Sequence, residues 1–275
     1  MPPARRRVSG AGAAVYDSIA RFYDLDHAGF DDDLAFYGEF ARTVSGPLLD
    51  VGVGSGRVAL PLARAGHDIT GIDVSEPMLA LARQRATAAE FGHRLLVTQA
   101  DVVSVVLPQR FGLAYFSLNT FSHLLTRPEQ LAALANVRRH LLPDGRLLID
   151  QWNPHASVAP DSSGQWVFGY RRQTPDSRWV TQSVSSRADP AEQQLQTTIV
   201  YDEEIASPSR AAGAGGANVR RTTVALRLRY FYRYEVEWLL LAAGYELEAV
   251  FGSYDLGPYS ADSPRLIWLA RNSAG

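Results

Sequence analysis

The chain of 275 residues contains no cysteine and no lysine. Without cysteine there is no thiol nucleophile, no disulfide, and no cysteine-held zinc or iron–sulfur cluster. Without lysine there is no amine to form a Schiff base with a carbonyl or pyridoxal phosphate, and no lysine to grip phosphates in a P-loop. All 27 basic residues are arginine. Net charge is also scarce: a formal −2 gives no general attraction for nucleic acid or an anionic membrane. No apolar run approaches the ~20 residues of a membrane helix. Arg5-Arg6-Arg7 has no apolar segment behind it, so it does not read as a secretory signal, and a cytoplasmic protein is expected. The six histidines, His27, His67, His93, His123, His140 and His155, show no tight ligand spacing, so no metal site is expected.

What is present is a regular alternation. Residues 1–14 are expected to be a disordered tail and residues 15–45 a helical lid, with Asp31-Asp32-Asp33 as an acidic helix start. A strand over residues 47–53 leads to a helix over about 55–65. A second strand, 67–73, leads to a helix over 75–88 with Ser75 as N-cap. Further strands are expected over 95–98, 111–117 and 146–151, with a helix over 128–140. Strands alternating with helices at these spacings predict an α/β fold, a doubly wound Rossmann-like sheet. Residues 154–230 depart from that pattern. Four β-rich runs (165–172, 178–185, 195–201 and 222–230) predict an antiparallel insertion between the fifth strand and the last helix. It is expected to act as a substrate lid or an oligomer interface, so a homodimer is a possible assembly. Residues 207–218, rich in Ala, Gly and Ser, read as a mobile loop. The α/β pattern resumes in 231–275, which together with 46–153 forms the expected cofactor-binding core.

Asp50-Val51-Gly52-Val53-Gly54-Ser55-Gly56 joins the first strand to its helix. Glycines there let the backbone turn sharply and approach a ligand closely. A dinucleotide site would use GxGxxG with pyrophosphate at the helix N-terminus. Here the spacing is GxGxG, and Arg57 stands in the third glycine's place. Asp50, just before the glycines, would repel pyrophosphate but attract an amino-acid ammonium. Asp73 ends the second strand, where a carboxylate can accept both ribose hydroxyls. Asp101 ends the third and could bond an adenine amino group, with Met78 placed to pack on the adenine face. Taken singly, each acid reads equally well as a cap or a solvated carboxylate, and Met78 as core. Three acids at successive strand ends around one glycine turn point to a nucleoside cofactor.

These motifs resemble those of the class I S-adenosylmethionine-dependent methyltransferases. The likeness rests on residues 49–57, on Gly71-Ile72-Asp73-Val74-Ser75 with Met78-Leu79, on Gln99-Ala100-Asp101-Val102, and on residues 111–116 and 141–145. Outside that core the chain is similar to the glycine and sugar N-methyltransferase branch, in Tyr16-Asp17, in residues 119–124, in the insertion and in Gly252-Ser253-Tyr254-Asp255 with Pro258-Tyr259. In glycine N-methyltransferases an arginine of the N-terminal segment holds the cofactor carboxylate, and residues 24–33 contain none. The resemblance implies S-adenosylmethionine as cofactor, bound by Tyr23, Asp50, Gly52, Gly54, Gly56, Asp73, Val74, Met78, Asp101, Val102 and Ser117.

Methyl transfer is a one-step displacement at a carbon activated by the sulfonium, so alignment and desolvation do much of the work, and a base is needed only for a protonated nucleophile. His123, on the loop after the fourth strand, is the candidate catalytic group, as base or as hydrogen-bonding residue only. Tyr16 is the second, to orient the methyl, although an amphipathic helix also explains it and Tyr23. Asn119, Trp152 and Tyr230 are expected at the substrate. The leading expectation is methylation of a nitrogen or oxygen of a small molecule, with carbon not excluded. A nicotinamide-dependent reductase and a non-catalytic cofactor-binding domain are the alternatives.

Overall fold

The computed structural model describes residues 10–157, 163–205 and 218–273. The expected mobile loop at 207–218, apart from Asn218, and the first nine residues of the expected tail lie outside the described residues. Residues 10–14, assigned to the tail from sequence, instead form the start of the first helix.

In chain order the elements are α1 (Gly10–Asp26), α2 (Leu34–Arg42), β1 (Leu48–Val51), α3 (Ala59–Arg64), β2 (Ile69–Asp73), α4 (Glu76–Ala88), β3 (Leu95–Gln99), β4 (Phe111–Phe116), α5 (Arg127–His140), β5 (Leu141–Trp152), α6 (Pro154–Ser157), β6 (Ser163–Gln173), β7 (Trp179–Asp189), β8 (Gln194–Ile205), β9 (Asn218–Arg229), α7 (Arg233–Ala242), β10 (Tyr245–Phe251) and β11 (Arg265–Asn272). Seven strands form one sheet in the order β10-β11-β5-β4-β1-β2-β3, and β6 to β9 form a separate sheet in sequence order. In the large sheet β1 to β5 are parallel, and β11 runs antiparallel to both its neighbours. The order reverses between β1 and β4, which opens a crevice at their carboxyl ends.

Apolar side chains cover both faces of this sheet. One face packs Val51, Phe116, Ile149 and Trp268 against α5 and α7. The other packs Leu48, Tyr115 and Ile267 against α2 and α3. Strands buried on both sides carry no alternation, which is why β1 and β4 are apolar throughout apart from Asp50.

Three elements differ instructively from expectation. The helix expected from Ser55 begins at Ala59, because Gly52, Gly54 and Gly56 hold φ of +76°, +55° and +82°. That left-handed backbone cannot belong to a right-handed helix. The acidic start at Asp31–Asp33 does not cap α2 with a side chain. The Asp33 carboxylate, fully buried, is bound by Arg57 instead. The 143–145 turn lies within β5, where Asp144 has a φ of +61° and the register to β4 shifts.

The insertion is a four-stranded antiparallel sheet. It packs α1 through Ile19 and Phe22 against Val180, Tyr201 and Val224. Phe22 stacks on Tyr201 with ring centroids 4.4 Å apart.

Candidate active site

A cavity of about 760 Å³ opens at the carboxyl ends of β1, β2 and β4 and runs beneath α1 to β8 and β9. At its sheet end stand Gly52, Gly54, Asp73, Val74, Met78, Asp101, Val102 and Ser117, all named from sequence. Tyr16, Tyr23 and His123 line it as well.

The glycine loop is held by Asp73. One carboxylate oxygen accepts from the Gly54 backbone N–H at 2.9 Å and the other from the Ser75 N–H at 2.9 Å. Burial raises the Asp73 pKa, and these backbone bonds oppose the rise. The carboxylate is therefore fixed in direction, with lone pairs left for a diol. At Gly54 a Cβ would lie 3.3 Å from Met78 Cε and 3.7 Å from the Tyr23 hydroxyl oxygen, which would close the passage between loop and methionine. At Gly52 it would collide with Thr120 Cγ2 at 2.4 Å. A flat base against Met78, a ribose at Asp73 and an exocyclic amine at Asp101 fit this wall. Ser75 caps α4 by accepting from Met78 N–H and donates 2.6 Å to Asp17 on α1, so one hydroxyl ties the helix carrying Met78 to the helix carrying Tyr16.

Two of the expected cofactor residues are not on the wall. Gly56 turns the chain into α3, and a Cβ there would press on Leu60 at 3.3 Å. Asp50 lies beneath the loop, 1% exposed, so its carboxylate does not reach the cavity. Desolvation pushes its pKa up to about 7, and the Tyr115 hydroxyl beside it opposes the shift. One of its oxygens has no hydrogen-bond partner. Arg57, in the place of a third glycine, is also turned away: it makes a bidentate pair with Asp33 at 2.8 and 2.5 Å and lies over the Phe30 ring.

His123 reaches the cavity through an unusual turn. Leu118 and Asn119 follow β4 with φ of +40° and +67°. Left-handed backbone at a residue with a Cβ costs about 1–2 kcal/mol, so such a pair needs outside support. The buried Asp150 supplies it. Its carboxylate accepts from Leu118 N–H at 3.2 Å, from the Tyr37 and Tyr254 hydroxyls at 3.0 and 2.9 Å, and from Arg265 Nε at 2.9 Å. The Asn119 side-chain oxygen accepts from Trp152 N–H at 2.6 Å. The chain then makes one 3₁₀ turn, Thr120–His123, which carries His123 inward. Asn119 and Trp152, expected at the substrate, are thus the brace of this turn and do not line the cavity. Tyr230 is also off the wall: it follows β9, is 3% exposed, and its N–H bonds Gln193.

His123 Nε2 lies 3.1 Å from the Tyr16 hydroxyl. Burial pushes the imidazole pKa down to about 4 and the Tyr16 phenol's well above its ordinary value, so both are neutral at pH 7. In that state either group can donate across the bond, according to the imidazole tautomer, and in both cases the phenol oxygen keeps a lone pair that the bond does not use. Tyr23, its pKa raised to about 12 by burial, is edge-on to Tyr16 and stacks on His27.

Asp26, at the end of α1, was missed from sequence. It lines the cavity and is held by three donors of the insertion: Tyr170 and Tyr201 hydroxyls, each at 2.6 Å, and Gln182 Nε2 at 2.7 Å. Nothing in its local sequence marks it, because these partners stand 144–175 residues away.

Among known proteins, the methyltransferase domain family matches residues 48–145, from β1 into β5. Over nearly its whole length the chain is similar to the putative methyltransferase YqeM of Bacillus subtilis (strain 168), with 25% identity over 264 residues, 94% of this chain and 98% of that one. A dTDP-3-amino-3,6-dideoxy-alpha-D-glucopyranose N,N-dimethyltransferase of Streptomyces fradiae is 30% identical over 151 residues, 52% of this chain and 57% of its own. Among solved structures, the CcbJ methyltransferase of Streptomyces caelestis superposes with a TM-score of 0.76 at 27% identity, over 94% of this chain and 98% of that one. The matched domain and the architecture shared at full length support a class I S-adenosylmethionine-dependent methyltransferase.

Proposed function

We propose that this enzyme transfers the methyl group of S-adenosylmethionine to a nitrogen or oxygen of a small molecule held between the Tyr16–His123 pair and the insertion sheet. The observation that carries this reading is the continuity of the cavity. One volume of about 760 Å³ joins the Asp73–Asp101 wall to Tyr16, His123 and the inner side of β8 and β9. Such a volume suits a nucleoside cofactor with a compact acceptor. When bound, the cofactor supplies a methyl carbon activated by its sulfonium. The chain's part is to fix the ribose at Asp73 and the adenine at Met78 and Asp101. Tyr16 presents its hydroxyl to the cavity beside His123, and α1 with the insertion excludes water. The sugar N,N-dimethyltransferase among the relatives supports an amine acceptor.

Calorimetry with S-adenosylhomocysteine tests the cofactor half. Asp73→Ala is expected to weaken binding about 30- to 100-fold, the scale of one or two charge-assisted hydrogen bonds. Transfer of radiolabelled methyl from S-adenosylmethionine across amines, phenols and sugars tests the acceptor half. Wild-type protein that fails to bind the cofactor product, or that binds it and methylates only protein or nucleic acid, would overturn the reading.

A further inference from the structure

We infer that Asp26 is an ammonium-recognition residue, and that the acceptor is a small amine that enters the cavity as a cation. This rests on the methyl-transfer reading and narrows it to nitrogen.

The first observation is how Asp26 is built. Its carboxylate accepts three hydrogen bonds, all from neutral groups: Tyr170, Tyr201 and Gln182. Among the described residues it has no ion-pair partner. Burial lowers the pKa of the adjacent His27, whose Nδ1 bonds the Tyr23 carbonyl at 2.9 Å and not Asp26. A residue needed only to latch α1 to the insertion would serve as well as an asparagine. A carboxylate partly withdrawn from water without a cation is unfavourable. Three oriented donors fix it, yet Oδ2, with Tyr201 as its single partner, keeps a lone pair for a further donor.

The second observation is the charge of the wall. The described residues lining the cavity include Asp26, Asp73, Asp101 and Glu129. Arg227 is the one arginine among them. It is exposed, and on β9 it alternates with Val224, which packs on α1, so its guanidinium leaves on the other face of the sheet. Asp73 and Asp101 belong to the nucleoside. The Glu129 carboxylate is taken up by the Thr126 N–H and hydroxyl in the capping box of α5, which leaves Asp26 as the carboxylate for the acceptor, near enough to Tyr16 that its charge raises the phenol's pKa. A cavity of this sign attracts a cation and disfavours an anionic acceptor.

The chemistry balances with groups of the chain. The bound R–NH₃⁺ gives one proton to Asp26 Oδ2, which becomes a neutral carboxylic acid. The freed nitrogen lone pair forms the new N–CH₃ bond as the C–S bond breaks. The electrons of that bond stay on sulfur, which leaves as the neutral thioether. Burial raises the Asp26 pKa, which eases its protonation.

The test compares wild type with Asp26→Asn, using radiolabelled S-adenosylmethionine and acceptors in isosteric pairs: cyclohexylamine with cyclohexanol, and glucosamine with glucose. S-adenosylhomocysteine binding and melting temperature are measured alongside. Wild type is expected to methylate the amine of a pair in preference. Asp26→Asn should raise the amine KM at least tenfold and leave S-adenosylhomocysteine affinity within twofold. Equal amine KM in the two proteins overturns the assignment, as does preference for the hydroxyl member in wild type. Loss of S-adenosylhomocysteine binding in Asp26→Asn also overturns it, by assigning the carboxylate to the cofactor. If the variant does not fold, inhibition of wild type decides: cyclohexylamine must compete with the acceptor more strongly than cyclohexanol, and equal competition sinks the idea. Wild type that binds the cofactor product but methylates no small molecule would instead defeat the parent reading.

Discussion

His123 and Asp50 are both shifted by desolvation, in opposite senses, and their consequences differ. The imidazole stays neutral down to about pH 4. Its own protonation should therefore place no acid limb near pH 6.5 in a kcat/KM profile. Between pH 5 and 8, His123→Gln should lower kcat while leaving the shape of the profile unchanged. A limb near pH 6.5 that disappears in this variant would show a titrating base instead. Asp50 titrates near pH 7 in the folded chain and near 3.8 when unfolded. Between those values the folded state holds the extra proton, so stability falls as pH rises from about 4 through 7 and is level above. Asp50→Asn removes this dependence. Urea melts at pH 5 and pH 8 should show the variant gaining on wild type at the higher pH, by on the order of a few kcal/mol at most. A difference that does not change with pH would mean that Asp50 ionises freely under the loop.

At the scale of elements, the site depends on how α1 is docked. Ser75 bonds Asp17 midway along α1, and Asp26 bonds Tyr170 and Tyr201 at its C-terminal end. Ser75→Ala removes an N-cap, worth about 1 kcal/mol, and the tie to Asp17 with it. In a chain of this size that corresponds to roughly 2–4 °C in melting temperature. Hydrogen exchange should also quicken in α1, and unchanged exchange there would mean that apolar packing alone docks the helix. The same reasoning explains what could be read from sequence. The sheet-side wall of the cavity was legible because each part is local: a strand, a glycine turn, and an acid at the next strand end. Gly52, Gly54, Asp73, Met78 and Asp101 all stand where that logic puts them. Asn119 and Trp152, expected at the substrate, do not line the cavity: the left-handed turn at Leu118–Asn119 sets the Asn119 side chain against the Trp152 backbone N–H. Backbone handedness of that kind has no signature in side-chain pattern.

At the scale of the molecule, the two walls of the cavity come from separate folding layers. The sheet supplies Asp73 and Asp101, whereas α1 and the insertion supply Tyr16, Asp26 and the inner side of β8 and β9. Asp26 escaped sequence analysis for this reason: its partners lie on β6, β7 and β8, up to 175 residues away. A ligand that touches both walls must stabilise both. S-adenosylhomocysteine at a hundred times its Kd should raise stability by about 2.7 kcal/mol through mass action. The distribution of that gain is the informative quantity. Tyr23 closes on Gly54 from α1, and α1 packs on the insertion through Phe22 and Tyr201, so slowed hydrogen exchange should extend from residues 50–101 into α1 and on to β8 and β9. Asp73→Ala should shrink the gain in both layers together. Protection confined to residues 50–101 would show that the cofactor wall is filled without engaging α1, and that the acceptor alone must close the site.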